Sequence, residues 1–212
     1  MLRRSLLASP LALAAFAPGG ARGQGAALSA RDQADLRRAE TYLNGITTLR
    51  ARFVQIAGNG ASAEGTAVIW RPGRMRFDYD PPEPLLLIAM GGQFLHFDKE
   101  LRQPSVIPVS QTPLGVLLRP QISLAGDVTV TAVQREAGFL RITLYRTNAP
   151  TEGRLTLVFA EEPFELRQWL VQDSQSRTTR VSLSQIETGV RLPAAAFDFN
   201  TPGFFDAIPG AR

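Results

Sequence analysis

The 212-residue chain has no cysteine, one histidine (His96) and one lysine (Lys99) beside 22 arginines. Without cysteine there is no disulfide framework, no thiolate metal site and no cysteine for lipid attachment. One histidine leaves any metal site to be built almost wholly from carboxylates. A Gly-x-Ser-x-Gly elbow and a phosphate-cradling glycine loop are both lacking, so catalytic and nucleotide-binding motifs are absent. Asp78, Asp80 and Asp98 read as solvated turn carboxylates rather than as an acid–base or metal cluster. The expectation is a non-enzyme without metal or cofactor. The arginine bias fits a GC-rich genome better than a functional demand.

What is present begins with an export signal. Arg3-Arg4 precede an apolar stretch from Leu6 to Ala17, broken only by Ser9 and Pro10, and then the small-residue region Pro18 to Gln24. That is the three-part order of a secretory signal peptide, too short to span a bilayer. Ala21 and Gly23 place small side chains three and one residues before a cut after Gly23, so residues 1–23 are expected to be removed. The arginine pair fits either an ordinary Sec signal or a twin-arginine signal. Removal leaves 20 basic residues against 19 acidic, a net charge of +1, and with it goes the electrostatic footprint of a nucleic-acid binder. Residues 24–212 suit one domain of ordinary size.

Ser29 and Asp32 form a capping-box pattern, and Leu36, Ala39, Leu43 and Ile46 recur on one helical face until Asn44-Gly45 stops it. Beyond Thr47 the hydrophobic period changes to two. Leu49-Ala51-Phe53 alternates with Arg50-Arg52-Val54, and Met75-Phe77-Tyr79 with Arg74-Arg76-Asp78. Further strands are expected at Thr66–Trp70, Leu85–Met90, Phe94–Asp98, Val128–Val133, Phe139–Arg146, Leu155–Ala160, Leu166–Asp173, Thr178–Glu187 and Ala196–Phe199. Turn signals such as Pro72-Gly73, Gly91-Gly92 and Ala137-Gly138 separate them. An antiparallel meander of this length closes into a barrel or needs a cover. Pro113, Leu114, Leu117 and Leu118, between Gln111 and Pro120, read as a short apolar helix, a lid or plug. Val68-Ile69-Trp70 and Leu85 to Ile88 are apolar on both faces, which fits either a further apolar space or a well-packed barrel core.

Phe53-Val54-Gln55, Gly65, Trp70-Arg71-Pro72-Gly73-Arg74-Met75-Arg76-Phe77, Pro81, and Gly91-Gly92-Gln93 leading to Phe97-Asp98 occur in an order that resembles the outer-membrane lipoprotein carrier (LolA) family. Thr112-Pro113-Leu114 with Leu117-Leu118, Leu166 to Asp173, Leu192-Pro193 and Phe197-Asp198-Phe199 extend the resemblance over almost the whole mature chain. It implies a mainly β fold: an unclosed antiparallel barrel of about eleven strands, with an N-terminal helix and a short lid helix over an apolar cavity. It implies a monomeric periplasmic chaperone with lipoprotein acyl chains as cargo. The loading partner would be an inner-membrane lipoprotein-releasing ABC transporter of the LolCDE type, and the outer-membrane acceptor is left open. A carrier or sensor of another periplasmic amphiphile on the same fold is the alternative.

By the same resemblance Arg71 is the latch, its guanidinium holding backbone carbonyls of the lid within Thr112 to Leu118; the alternative is an exposed arginine beside a turn. Met75 is the expected partner contact, or else an ordinary inward strand residue beside Phe77. Phe53, Trp70, Phe77, Leu86, Ile88 and Phe94 are the candidate cavity wall.

Overall fold

The computed structural model describes residues 28–206 and Ile208; the expected signal peptide, residues 1–23, lies outside them. Helix α1 (Ala30–Gly45) starts at a complete capping box. The Ser29 hydroxyl accepts from the Asp32 N–H at 3.1 Å and the Asp32 carboxylate accepts from the Ser29 N–H at 3.0 Å, satisfying two of the donors a helix start leaves open. Leu36, Ala39 and Leu43 form its buried stripe.

Eleven strands follow: β1 (Thr48–Ile56), β2 (Ser62–Trp70), β3 (Arg74–Tyr79), β4 (Leu85–Met90), β5 (Gln93–Asp98), β6 (Gln103–Pro108), β7 (Val128–Glu136), β8 (Phe139–Arg146), β9 (Gly153–Glu161), β10 (Phe164–Asp173) and β11 (Thr178–Thr188). They make one antiparallel sheet ordered β6-β5-β4-β3-β2-β1-β11-β10-β9-β8-β7. The first and last strands meet in its middle, while β6 and β7 are left as edges, so the barrel is unclosed, as expected. Between those edges the chain forms two 3-10 turns, Val109–Gln111 and Pro113–Leu118, then the extended stretch to Leu124. These segments and α1 pack against the concave face in one apolar cluster.

Curling the sheet this tightly uses a glycine. Gly65 pairs with Phe53, and a Cβ placed there would lie 2.1 Å from the Asp78 carbonyl oxygen and 2.7 Å from the Phe53 ring. Phe53 therefore lies across a bare stretch of backbone, with Phe77 and Tyr79 edge-on at 4.9 Å.

The two-sided apolar strands have a different cause from an extra cavity. Inward residues alternate with outward ones, and Leu86, Ile88, Leu95 and Phe97 face the convex side, where the C-terminal segment folds back and seats Phe197 and Phe199 among them. Residues Ala196–Phe199 are accordingly not a strand: Ala194–Phe197 is a 3-10 turn, and the alternation reflects phenylalanines inserted into an existing apolar face. Strand β6, by contrast, escapes the periodicity because all six of its residues are exposed and Pro104 and Pro108 read as breakers. The Val109 N–H donates to the Gly92 carbonyl at 2.8 Å, so in this register residues 103, 105 and 107 bond to β5 while both prolines fall where an N–H would point away from the sheet.

A roofed apolar interior held by Arg71

The β2–β3 turn carries Arg71 beneath the C-terminal end of α1. Arg71 is 7% exposed and is the only buried charged residue among the described residues. Nη1 donates to the Leu43 and Ile46 carbonyls, the latter at 3.2 Å. Nη2 donates to Arg119 O at 2.9 Å, Pro120 O at 3.3 Å and Asn44 Oδ1 at 3.1 Å, and Nε donates to Arg119 O at 3.3 Å. One guanidinium thus ties three things together: the barrel, the end of α1 and the chain just beyond the 3-10 turns. The lid acceptors lie past the expected Thr112 to Leu118 stretch; within it, Leu118 O accepts instead from the Gly73 N–H at 2.8 Å.

Two physical facts act on this clamp in opposite directions. α1 has no basic residue in its last turn, so Arg71 supplies from another element the cation that its unsatisfied, partly negative carbonyl end favours. Yet the acceptors are all neutral, and burial pulls the Arg71 pKa below the usual arginine value. The charge is held by dipoles and hydrogen bonds without a carboxylate to offset its desolvation.

α1 is fastened elsewhere as well. Arg135 on β7 donates to Asp32 at 2.8 Å and to Asp35 at 2.7 Å. Arg38 sits 3.9 Å over the Phe164 ring and donates to Glu161 O at 3.2 Å. Tyr42 meets Phe159 and Phe164 edge-on. On the lid side, Asn44 Nδ2 donates to Ile122 O, and the Glu40 carboxylate accepts from the Leu124 N–H at 2.6 Å. Neither side chain stands out in the sequence, because each acts on a backbone about 80 residues away.

The expected cavity residues divide between the two faces. Phe53, Phe77 and Phe94 belong to the inner cluster. Trp70, Leu86 and Ile88 belong to the outer one, where Trp70 packs on Phe197 and under the Arg74 guanidinium; they are therefore not inner-wall residues. Pro113 and Leu114 are half-buried, and Leu117 and Leu118 are buried against the interior. Met75, the expected partner contact, is 2% exposed and points inward between Ile69 and Ala89, since its alternation follows Phe77 and Tyr79; buried there, it offers no docking surface. Asp78 is taken up by Arg76 at 2.7 and 2.8 Å, Asp80 by Arg52, and Asp98 by the N–H groups of Glu100 and Leu101, which accounts for the three carboxylates separately.

Beneath Arg71 the remaining space is about 20 Å³, lined by Leu43, Ile46, Leu49, Ile69, Leu117, Ile122 and Leu166. That is room for about one water molecule.

An unclosed β-barrel whose apolar interior lies under a latched helical roof belongs to the lidded-barrel class. The chain is a member of the outer membrane lipoprotein carrier protein LolA family, whose family model matches residues 44–200. It is 29% identical over 177 residues to the outer-membrane lipoprotein carrier protein of Dechloromonas aromatica, covering 79% of this chain and 84% of that one. It is 25% identical over 180 residues to that of Methylococcus capsulatus, covering 81% and 86%. A solved domain from Vibrio parahaemolyticus assigned to outer-membrane lipoprotein sorting shares the fold at a TM-score of 0.51 and 8% identity, over 78% of this chain and 96% of that one.

Proposed function

We propose that this protein is a periplasmic chaperone that carries lipoproteins from the inner to the outer membrane by sheltering their acyl chains inside the barrel. The observation that supports it most is the Arg71 clamp: a buried cation on neutral acceptors, roofing an interior whose wall is aliphatic and aromatic. Transfer of a triacyl anchor of roughly 48 methylenes between water and an apolar phase is worth about 40 kcal/mol at ~0.8 kcal/mol each, so free diffusion is negligible. A roof that opens and recloses for a few kcal/mol lets a carrier load and release without ATP of its own. In this reading residues 1–23 are removed on export, the mature protein works as a monomer, and an inner-membrane ABC transporter of the LolCDE type loads it.

The test is binding and hand-over. The purified mature protein is expected to raise the emission of an apolar fluorophore, to release it to a triacylated lipoprotein, and to deliver that lipoprotein to acceptor vesicles. Mass spectrometry of cargo co-purified from the periplasm identifies what is carried. Recovery of a glycolipid or another amphiphile in place of lipoprotein overturns the cargo assignment; failure to bind any acylated ligand overturns the carrier reading.

A further inference from the structure

Trp169 is the largest fully buried side chain, 1% exposed on β10 between Leu157 of β9 and Val181 of β11. Its indole Nε1 is, among the described residues, the only buried side-chain polar atom without a hydrogen-bond partner. The Tyr79 hydroxyl, also deep on the inner face, donates to Gln55 at 2.7 Å. An unmet buried donor is destabilising, and native interiors carry few of them.

The position of the indole tells what meets it. Its ring contacts Phe77 edge-on at 6.0 Å, and β3 and β10 are separated in the sheet by β2, β1 and β11. The contact therefore reaches across the barrel interior. Both rings belong to the inner cluster, so cargo passing this level parts Phe77 from Trp169 and meets a side chain whose N–H has no partner. A hydrocarbon chain offers it nothing; a carbonyl oxygen of an acyl ester is an acceptor that fits a donor set in an apolar wall.

We infer that Trp169 Nε1 is a binding site for the ester carbonyl of acyl cargo, so that the barrel prefers ester-linked chains to ether-linked chains of the same length. This rests on the carrier reading for its ligand. The interior wall then does more than exclude water: one N–H reads the bond by which the chain is attached.

The test compares a diacylglycerol with the dialkylglycerol of equal chain length, each displacing an apolar fluorophore from the empty protein. Wild type is expected to favour the ester by about tenfold, the effect of satisfying one buried donor. Trp169→Phe is expected to bind both alike, with ether affinity kept. The chain's other tryptophan, Trp70, lies on the convex face and serves as an internal control. In wild-type protein the Trp169 indole proton resonance should move downfield with the ester and not with the ether, while that of Trp70 stays. This second measurement decides the matter if Trp169→Phe fails to fold. Equal binding of the two lipids by wild type, or a preference that survives Trp169→Phe, overturns the inference and leaves the carrier reading intact. Binding of neither lipid overturns the inference, and the carrier reading falls with it only where the triacylated lipoprotein also fails to bind.

Discussion

Asn44 and Ile122 exchange a reciprocal pair of hydrogen bonds: Asn44 Nδ2 donates to Ile122 O at 2.8 Å, and Ile122 N–H donates to Asn44 Oδ1 at 2.9 Å. The side-chain amide thus pairs with the lid backbone as a neighbouring strand would. The same Oδ1 accepts from Arg71, and one turn earlier Glu40 accepts from Leu124 N–H. The end of α1 and residues 119–124 are consequently stitched into one roof, with Arg71 beneath the seam.

Asn44→Ala should cut the seam while leaving α1 seated on Phe159 and Phe164. Hydrogen exchange at the Ile122 and Leu124 amides is expected to quicken by about tenfold, corresponding to one or two lost bonds, with the middle of α1 unchanged. Asn44→Asp keeps the acceptor and loses the donor, so it should fall between. Wild-type exchange at Ile122 in Asn44→Ala would show that packing alone holds the roof.

Arg71→Leu removes every bond of the clamp. Charge-assisted bonds are worth roughly 1.5–3 kcal/mol each, offset in part by the released desolvation, so opening should become easier by ~3 kcal/mol. Tighter loading of acyl cargo and slower transfer to acceptor vesicles are expected, with little change in melting temperature because the strands do not depend on the clamp. Arg71→Lys keeps the charge without the planar fork and should be intermediate. Loading and release at wild-type rates in Arg71→Leu would remove Arg71 from the mechanism.

Gly65→Ala drives a methyl into the Asp78 carbonyl and the Phe53 ring. A loss of about 2 kcal/mol and a fall in melting temperature of about 5 °C are expected by calorimetry. Gly45→Ala, where a Cβ meets nothing within 4 Å, is the matched control and should melt like wild type.

The start of α1 should depend on acid. The Ser29 hydroxyl and the Arg135 guanidinium, in that order, lower the Asp32 pKa from 3.8 to about 2. A depressed carboxylate stabilises the folded state above its unfolded pKa, so this contribution is intact above about pH 4 and disappears as pH falls towards 2. Far-UV circular dichroism and exchange of the α1 amides should show loosening across that window in wild type. Asp32→Asn should already be loosened and flat through it; an Asp32→Asn protein with the wild-type acid profile would place the titration elsewhere.

Much of this architecture is legible in residue order. The capping box, the helical stripe and the change to a period of two appear directly, because each is a local pattern imposed by local geometry. Arg71 was legible only as a residue of a motif. Its acceptors were not, since the Leu43, Ile46, Arg119 and Pro120 carbonyls are backbone atoms that every residue possesses. Apolarity on both faces of β4 pointed to burial without telling what buries each face; the C-terminal phenylalanines, more than 100 residues later, supply the answer. For that reason Trp70, Leu86 and Ile88 read as inward in the sequence, whereas they face the convex side.

Strand β6 carries the remaining lesson. An unclosed barrel keeps a slit between two edges, and bare edges invite pairing with other chains, the route by which sheet proteins assemble into fibrils. Along β6 the outward positions are Pro104, Val106 and Pro108, so a would-be neighbour finds a single amide hydrogen to grip. The barrel stays open on one flank without becoming a template for aggregation.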